Sequence, residues 1–354
     1  MTAKDLSNGF SPETTIARDD TVWINARTEP FKIYGVFFDD TAGRFLRMPL
    51  SVSDQMNDRV QELNTTPSGG RLRFCTDSDY VAVYAVQENF PPIPCITLDA
   101  QSGMDLYEDG QYYKTFAPKA NCKTGFSDLK ATSGGFHEIT INLPLLDNLI
   151  DLYIGLQKDA VVLEAPAYPN EGKPIVFYGS SITQGMGASR PGNTYVSQVC
   201  RRLGLDFINL GFSGNCKGEQ CVAHHIAGLP MTAFVLDFDH NVSSLDELKE
   251  RHMPFFRTVR AANPDLPIVM ISAPDTAYGK TINDMEERRL LIIKNYETLV
   301  AEGDRNVYFI DGKTILGDHP KDCTVDALHP NDLGFFNMAN VVEKKLREVL
   351  KDIL

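Results

Sequence analysis

A serine, a histidine and an aspartate in this chain have the types and the spacing that nucleophilic acyl transfer needs. Ser181 follows the apolar run Ile175–Tyr178 after one short turn, and Asp326 precedes His329 by three residues near the end of the sequence. A serine hydroxyl is a poor nucleophile at its own pKa, so an adjacent imidazole must take its proton, and an acid must fix the tautomer of that imidazole. The chain contains the three groups that this chemistry requires.

Ser181 stands where a strand is expected to turn sharply into a helix. Gly179 and Gly185 on either side give the backbone freedom for such a turn. A serine at this junction presents its Oγ at the edge of a sheet, and nearby backbone N–H groups point at the oxygen of an incoming acyl group. Thr183 occupies the position of the second glycine in the G-x-S-x-G elbow of α/β-hydrolases, so this turn is of another type. An ordinary helix N-cap has the same local pattern, and the rest of the chain must decide between the two.

His319 is the alternative to His329 as the base, because Asp318 stands directly beside it. Adjacent residues rarely point at each other. An acid three residues before a histidine can instead turn back toward the ring in one tight loop. The spacing therefore favours His329 over His319.

A second cluster offers a zinc site as an alternative chemistry, since cysteine and histidine at close spacing are the usual zinc ligands. The cluster consists of Cys216, Cys221, His224 and His225. Its Cys-x4-Cys-x2-His-His spacing is not a recurring zinc pattern, and the segment reads as the start of a helix. We therefore expect no metal. Neither a phosphate loop nor a dinucleotide fingerprint occurs in the sequence, so we also expect no cofactor.

The second half of the chain alternates apolar strands with amphipathic helices. Strands are predicted at Ile175–Tyr178, Phe207–Leu210, Phe234–Leu236, Ile268–Ile271 and Val307–Ile310, and helices at Thr194–Leu203, Leu245–Ala262, Ile282–Ala301 and Leu333–Leu350. This alternation predicts a parallel, doubly wound sheet, whose ligands gather beyond the carboxyl ends of the strands. Ser181, Gly214 and Asn241 each follow such a strand end by a few residues. Gly204 is expected to be a left-handed cap after the first helix.

The first half has another pattern, with short β-branched and aromatic runs separated by turn residues from Thr21 to about Leu156. Such a pattern indicates an all-β sandwich. Two prolines and a glycine between Glu164 and Pro174 favour an extended crossing. We therefore predict a β-sandwich domain over residues 1–168 and a catalytic α/β domain over residues 169–354.

Composition restricts the partners and the compartment. The net charge of −13 argues against nucleic acid and anionic membranes and favours a neutral or cationic substrate. The sequence has no run of 18 apolar residues and no apolar stretch near its start. Its seven cysteines form no C-x-x-C pair, which suits a reducing compartment. These features predict a soluble, cytoplasmic protein without membrane association.

Four blocks of the chain, in order, resemble the SGNH (GDSL-type) hydrolase family. The blocks are Gly179–Thr183, Asn209–Asn215 with its Gly214, Leu236–Asn241, and Asp326–His329 followed by Pro330. The resemblance implies a flavodoxin-like catalytic domain in which Ser181 is the nucleophile, His329 the general base and then acid, and Asp326 the orienting carboxylate. It also implies an oxyanion hole made of the backbone N–H groups of Ser181 and Gly214 and the side-chain amide of Asn241.

Two positions depart from the pattern of that family. Ser180 replaces the aspartate that usually precedes the nucleophile, and the third block lacks its leading glycine. The second change puts Asp239 and His240 beside Asn241, where we expect them to contact the leaving-group side of the substrate.

The segment Gly103–Tyr107 is similar to the G-x-D-L-Y signature of an N-terminal domain found ahead of one SGNH branch, with a jelly-roll-like β-sandwich as the implied fold. Together the two resemblances imply a serine esterase that hydrolyses a small O-acyl ester, with an acetyl group on a carbohydrate as the expected substrate. An acyltransferase with the same triad and a carbohydrate-binding protein with a decayed site are the two alternatives.

Overall fold

The computed structural model describes residues 1–88, 90–119, 124–276 and 284–354. These residues form two compact units. The N-terminal unit contains residues 1–47, 64–167 and 189–192, and the C-terminal unit contains residues 48–63, 168–188 and 193–354. The main crossing of the chain at residues 167 and 168 lies beside the predicted boundary, and two short segments, 48–63 and 189–192, belong to the unit that their sequence position does not suggest.

The N-terminal unit consists mainly of short strands, as the alternation of apolar and polar residues predicts. Its strands are β1 (Thr21–Asn25), β2 (Lys32–Tyr34), β3 (Phe37–Asp39), β4 (Arg44–Leu46), β5 (Arg71–Thr76), β6 (Tyr80–Val86), β7 (Met104–Glu108), β8 (Gln111–Phe116), β9 (Gly125–Ala131), β10 (His137–Asn142), β11 (Asp151–Gln157) and β12 (Val162–Leu163). The short helices α1 (Ala3–Leu6) and α4 (Leu98–Gln101) complete the regular structure described for this unit.

Most of these strands form two antiparallel sheets within the described residues. One sheet has the order β1-β11-β6-β9, and the other has the order β12-β5-β10-β7-β8, with β2 paired to β5. Side chains of successive residues point to opposite faces of a strand, so every second residue faces inward. Val83 of the first sheet and Phe74 and Ile139 of the second are fully buried in one shared core. The predicted β-sandwich is confirmed.

The C-terminal unit contains a parallel sheet of five strands in the part of the chain that the structure describes. The strands are β13 (Ile175–Gly179), β14 (Phe207–Gly211), β15 (Ala233–Asp237), β16 (Ile268–Ile271) and β17 (Val307–Ile310), in the order β14-β13-β15-β16-β17. This is the 2-1-3-4-5 order of a flavodoxin-like, doubly wound fold, which confirms the predicted class. Gly179 pairs with Gly211 on one side and with Asp237 on the other, so the carboxyl ends of three strands meet at one edge.

Helices alternate with these strands along the chain. They are α2 (Leu50–Ser53), α3 (Asp58–Asn64), α5 (Ser181–Gln184), α6 (Tyr195–Leu203), α7 (Gln220–Ala227), α8 (Leu245–Ala262), α9 (Met285–Ala301), α10 (Gly312–Ile315) and α11 (Asp332–Val349). The four helices predicted from the sequence correspond to α6, α8, α9 and α11. The predicted start of α9 at Ile282 lies outside the described residues. Gly204 ends α6 in the left-handed conformation with φ 67°, so the predicted glycine cap is confirmed.

The segment 48–63 belongs to the C-terminal unit because its apolar side chains complete the core of that unit. Met48, Val60 and Leu63 are fully buried in one cluster with Val176 of β13 and Val222 of α7. The sequence pattern shows only that this segment is amphipathic, and it contains no information on which unit the apolar face covers.

None of the helices in the described ranges is long and apolar enough to cross a membrane. The cysteines within those ranges are all free thiols, namely Cys75, Cys95, Cys200, Cys216, Cys221 and Cys323. Cys122 lies outside the described residues.

Candidate active site

Ser181 is the first residue of the four-residue helix α5, directly after β13. Ser180 precedes it as the N-cap, and the Ser180 hydroxyl accepts a hydrogen bond from the Ile182 N–H at 3.2 Å. Gly185 ends the helix with φ 112°, a conformation that favours glycine. The residue that replaces the expected aspartate therefore serves as a helix cap, and the turn holds Ser181 at the carboxyl edge of the sheet.

The structure brings Ser181, His329 and Asp326 together in one hydrogen-bonded chain. The Ser181 Oγ lies 2.9 Å from the His329 Nε2, and the His329 Nδ1 lies 2.7 Å from the Asp326 Oδ2. Both distances are within hydrogen-bond range. A proton can therefore pass from the serine to the imidazole while the carboxylate holds the opposite ring nitrogen.

Asp326 also builds the turn that presents the histidine. Its Oδ1 accepts hydrogen bonds from the backbone N–H of His329 at 2.7 Å and from that of Leu328 at 3.1 Å. Ala327 inside this turn has a left-handed backbone with φ 70°. Burial raises the pKa of the Asp326 carboxyl, but the hydrogen bonds from His329 outweigh it, and the pKa lies below its usual value of 3.8. Asp326 is therefore ionised at neutral pH and suited to stabilise an imidazolium.

A buried carboxylate, Asp237, lies beside the nucleophile helix. Its Oδ2 accepts hydrogen bonds from the Thr183 Oγ1 at 2.9 Å and from the Tyr195 hydroxyl at 3.0 Å. Thr183 belongs to α5, Tyr195 begins α6, and Asp237 ends β15. The Asn209 Nδ2 donates to the Thr183 carbonyl at 2.7 Å. Side chains from two strands and a helix therefore hold Thr183, which lies two residues after Ser181 on the same helix.

Burial raises the pKa of Asp237 to about 6, because a carboxylate loses its hydration in the interior. The folded-state pKa is thus higher than the usual value of 3.8. Protonation of such a group favours the folded state, so its contribution to stability is largest below pH 3.8 and decreases as the pH rises toward 6. The hydroxyl groups of Thr183 and Tyr195 partly offset this cost at neutral pH.

Replacing Thr183 by valine is expected to lower kcat by about tenfold or more, because small displacements of a reacting group are costly. Valine keeps the shape of threonine and removes only the hydroxyl that donates to Asp237. The KM should change little. The measurement is steady-state kinetics at a temperature well below the Tm of the variant.

Thr183→Ser is the matched control, since it keeps the hydroxyl and loses a methyl group. We expect its kcat to stay close to that of the wild type. Equal kcat values for Thr183→Val and Thr183→Ser would contradict a positioning role for the bond to Asp237.

The two other predicted oxyanion-hole residues, Gly214 and Asn241, lie in loops that a hydrogen bond connects. The Asn241 Oδ1 accepts the backbone N–H of Cys216 at 3.3 Å. This bond directs the amide oxygen toward the loop of Gly214 and leaves the amide nitrogen as the group able to donate to a substrate. Asn241 thereby has one hydrogen-bonding role inside the protein, and its donation to an oxyanion stays a prediction.

Gly214 lies in an open turn whose backbone conformation favours glycine. Among the described residues no heavy atom lies within 4 Å of a Cβ built at this position. The backbone of Gly214 is left-handed with φ 69°, and this conformation favours glycine. The preference for glycine comes from the turn and not from crowding by the protein.

Asp239 and His240, predicted to contact the substrate, interact with each other and with the protein. The Asp239 Oδ2 accepts the Ala273 N–H at 2.6 Å, and its Oδ1 lies 2.9 Å from the His240 Nδ1. Burial opposes a charge on His240, but Asp239 and Asp237 outweigh it and raise the pKa of the ring. Asp239 is only 1% exposed. Both carboxylate oxygens of Asp239 therefore have protein partners, and substrate contact by this pair stays a prediction.

The alternatives considered for the base and for a metal occupy other places. His319 and Asp318 are both exposed. Of the four candidate zinc ligands, Cys216 is buried, while His224 is exposed on α7. No three of the four bring their ligand atoms within 4.8 Å of one another in the described residues.

Sequence reasoning did not identify Thr183, Asp237 and Tyr195 as parts of the site. Two signals were present. Asp237 is a charged residue at the end of an otherwise apolar strand, and α5 carries polar side chains although it follows a fully buried strand. A polar group in a buried position needs a partner, which is the physical basis of both signals.

Two sequence families match the chain in succession. Residues 21–162 match the GxDLY family, described as the N-terminus of the SGNH-hydrolase type of esterase. Residues 172–347 match the GDSL-like lipase/acylhydrolase family. Their order and positions confirm the resemblance drawn from the four blocks and the G-x-D-L-Y segment. No curated protein matches the sequence.

Solved structures show the same fold over nearly the whole chain. A candidate GDSL-like lipase from Bacteroides ovatus is 31% identical, covers 94% of this chain and 98% of its own, and has a TM-score of 0.83. A salicylyl-acyltransferase from a tetracycline biosynthetic pathway is 21% identical, with coverage of 94% and 98% and a TM-score of 0.77. An acetyl xylan esterase from the rumen bacterium Butyrivibrio proteoclasticus is 13% identical, with coverage of 94% and 99% and a TM-score of 0.61.

At their low identities the last two structures share the fold alone. The first shares sequence as well, over nearly the full length of both chains. The chain therefore belongs to the GDSL-like lipase/acylhydrolase family, in the branch with an N-terminal GxDLY domain, and is an enzyme of the carboxylic ester hydrolase class.

Proposed function

We propose that this enzyme is a serine esterase that removes a small acyl group, with acetyl as the favoured one, from a hydroxyl group of a carbohydrate. The observation that carries the proposal is the pair of hydrogen bonds that link Ser181 to His329 at 2.9 Å and His329 to Asp326 at 2.7 Å. An imidazole bonded on both sides in this way can accept a proton from the serine and return it to a leaving group.

Acylation begins when the Ser181 Oγ attacks the ester carbonyl carbon. The Oγ–C bond forms, the hydroxyl proton moves to the His329 Nε2, and the carbonyl oxygen becomes an oxyanion. When this intermediate collapses, the bond from carbon to the alcohol oxygen breaks, and the imidazolium gives its proton to that oxygen. Asp326 stays ionised throughout and stabilises the imidazolium.

Deacylation repeats these steps with water as the nucleophile. The His329 Nε2 takes a proton from the water as its oxygen bonds to the acyl carbon, and the imidazolium then protonates the Ser181 Oγ as the acyl–enzyme bond breaks. The products are a carboxylic acid and the free enzyme. The same residues therefore serve both half-reactions without a cofactor.

The oxyanion is held by the backbone N–H groups of Ser181 and Gly214 and by the amide nitrogen of Asn241. Donors aimed at a developing charge act more strongly on the transition state than on the bound ester. The bond from the Cys216 N–H to the Asn241 Oδ1 at 3.3 Å supports this role, because it orients the amide nitrogen away from the loop.

Asn241→Ala is expected to lower kcat by about 10²–10³-fold while the KM changes little. The donor is needed most when charge develops, so its loss affects the chemical step more than binding. Steady-state kinetics with a soluble ester measures both constants. A change in KM alone would make Asn241 a substrate-binding residue instead.

Asn241→Asp separates this donation from the structural role of the side chain. Aspartate can still accept the Cys216 N–H, but it replaces the donor with a negative charge. We expect this variant to be at least as impaired as Asn241→Ala. Activity close to that of the wild type would show that Asn241 only holds the loop.

Two observations support a small, uncharged sugar ester as the substrate. The net charge of −13 disfavours anionic substrates near the protein. The fold is shared with an acetyl xylan esterase. An acetylated hydroxyl presents a short acyl group that the serine can accept and water can release, so it fits the proposed chemistry.

An acyltransferase is the second candidate, because a salicylyl-acyltransferase has the same fold with a TM-score of 0.77. In that case the acyl-enzyme forms as above, and the hydroxyl of a specific acceptor replaces water in the second step. The two activities differ in the product formed when an alcohol is added.

The test compares p-nitrophenyl acetate, butyrate and octanoate, then acetylated xylo-oligosaccharides with acetate release as the measurement. We expect acetate esters to be the best substrates. A preference for octanoate would overturn the small acyl group, and acyl transfer to added alcohols in excess of hydrolysis would favour the acyltransferase. Binding of oligosaccharides without any turnover would favour the decayed carbohydrate-binding protein.

A further inference from the structure

The G-x-D-L-Y segment of β7 has polar side chains that the sandwich core does not use. Leu106 is fully buried in that core. Residues on either side of it in a strand point to the opposite face, so Asp105 and Tyr107 share the other face. Both are nonetheless buried, with exposures of 0% and 2%. A buried carboxylate and a buried phenol need polar partners on that face.

Those partners come from the segment Ser189–Gly192, which belongs to the N-terminal unit although it lies between α5 and α6 in sequence. The Asp105 Oδ2 accepts hydrogen bonds from the Arg190 Nη1 and from the Gly192 N–H, both at 2.8 Å. Its Oδ1 accepts the Asn142 Nδ2 at 2.8 Å. A fully buried carboxylate thus binds one short segment through a guanidinium and a backbone amide.

Tyr107 adds a third bond to the same segment and excludes side chains from one position in it. The Tyr107 hydroxyl accepts a hydrogen bond from the Arg190 Nη1 at 2.5 Å. A Cβ at Gly192 would lie 2.3 Å from this hydroxyl and 2.7 Å from the Asp105 Oδ2. The Arg190 guanidinium also lies over the Tyr112 ring, 3.8 Å from its centre. The segment Ser189–Gly192 therefore packs against β7 so closely that a side chain at Gly192 would not fit.

Gly187, two residues before this segment, contacts the loop that carries His329, and Asn193, directly after the segment, contacts the helix that follows this loop, both inside the C-terminal unit. A Cβ at Gly187 would lie 2.3 Å from the Pro330 carbonyl oxygen and 3.4 Å from the His329 Cβ, so the glycine backbone packs directly on the loop. On the other side, the Asn193 Nδ2 donates to the Asp332 Oδ2 at 2.9 Å. The segment Ser189–Gly192 is thus flanked by one contact with the histidine loop and one with Asp332, the first residue of α11.

We propose that Asp105 and Tyr107 are positioning residues for the esterase reaction. By holding Ser189–Gly192 they restrain Gly187 and Asn193, and these two residues restrain the loop that keeps the His329 imidazole within hydrogen-bond reach of Ser181. This role rests on the proposed function. It gives the G-x-D-L-Y signature a catalytic purpose, because each of its two polar residues binds the segment that continues from the nucleophile helix.

The experiment compares Asp105→Asn and Tyr107→Phe with two control variants. Asp105→Asn places an amide donor against Arg190 and the Gly192 N–H, and Tyr107→Phe removes one oxygen atom. Asp109→Asn and Tyr113→Phe are the same chemical changes on the same hairpin. The Asp109 carboxylate pairs with His137 at 2.8 Å, and the Tyr113 ring contacts Lys114. These partners lie outside the segment Ser189–Gly192, so both control variants leave its contacts unchanged.

Three quantities are measured for each variant: kcat and KM for p-nitrophenyl acetate well below the Tm, the rate of fluorophosphonate labelling of Ser181, and amide hydrogen exchange in peptides covering residues 185–195 and 324–331. For Asp105→Asn and Tyr107→Phe we expect kcat to fall about 10- to 100-fold with the KM nearly unchanged. Labelling should slow in parallel, and exchange should accelerate in both peptides. The controls should behave as the wild type.

A purely structural role would lower the Tm and leave kcat and exchange at residues 324–331 unchanged at low temperature, which would overturn the proposal. If Asp105→Asn does not fold, Tyr107→Phe decides in the same way. If the wild type shows neither turnover nor labelling at Ser181, the proposed function fails. Hydrogen exchange then decides the positioning role alone, since faster exchange at 324–331 supports it and unchanged exchange overturns it.

Discussion

Ser181→Ala is expected to reduce kcat by about 10⁴- to 10⁶-fold, because no other group in the proposed mechanism can form the acyl-enzyme. The residual rate would come from the oxyanion donors acting on a water molecule. The fold should be retained. Alanine is a good helix former, and the side chain loses only its hydrogen bond to His329, a net effect of about 1 kcal/mol.

The measurement combines ester hydrolysis with intact mass after treatment with a fluorophosphonate. The wild type should carry one adduct and Ser181→Ala none. Ser180→Ala is the matched control, since it changes the adjacent serine and removes the N-cap bond to Ile182 at 3.2 Å, at a cost of about 1 kcal/mol. It should still form the adduct. A soluble Ser181→Ala protein with near-normal turnover would contradict the assignment of the nucleophile.

Asp326→Asn is expected to lower kcat by about 10⁴-fold while it leaves the histidine turn intact. An asparagine oxygen can still accept the backbone N–H groups of His329 and Leu328, which the Asp326 Oδ1 accepts at 2.7 and 3.1 Å. Its amide nitrogen would take the place of Oδ2 and donate to the ring Nδ1. The imidazole would then carry its proton on Nε2, facing Ser181, and could not act as a base.

This loss can be separated from damage to the fold. The circular dichroism spectrum and Tm of Asp326→Asn should stay close to those of the wild type, while the kcat falls. Asp318→Asn makes the same change at an exposed residue beside His319 and should keep full activity. Loss of activity in Asp318→Asn together with normal activity in Asp326→Asn would move the base to His319.

Much of the fold follows from local patterns in the sequence. Helix α8 has the bounds Leu245–Ala262 that its amphipathic pattern predicts, and Gly204 ends α6 as a glycine cap should. Such features depend on interactions within a few residues, which spacing describes well. The alternation of strands and helices also predicts the parallel sheet and the edge at which Ser181, Gly214 and Asn241 follow strand ends.

Other features depend on contacts between distant parts of the chain, and local patterns do not contain them. The segment 48–63 contributes Met48 and Leu63 to the core of the C-terminal unit, although it lies within the sequence of the β-sandwich. Asp105 and Arg190 are 85 residues apart and share one hydrogen bond. Neither pairing changes the periodicity of its own segment, so neither leaves a local signal.

The sequence by itself determined the β-rich class of the N-terminal unit, the alternation of strands and helices in the C-terminal unit, and the turns that present Ser181 and His329. It did so because each of these depends on short-range sterics and hydrogen bonds, as in the three-residue span from Asp326 to His329. Only the tertiary structure decided which distant groups meet. The Ser181 Oγ and the His329 Nε2 approach to 2.9 Å across 148 residues, and Asp237 joins Thr183 across 54, because packing of the whole sheet sets these distances.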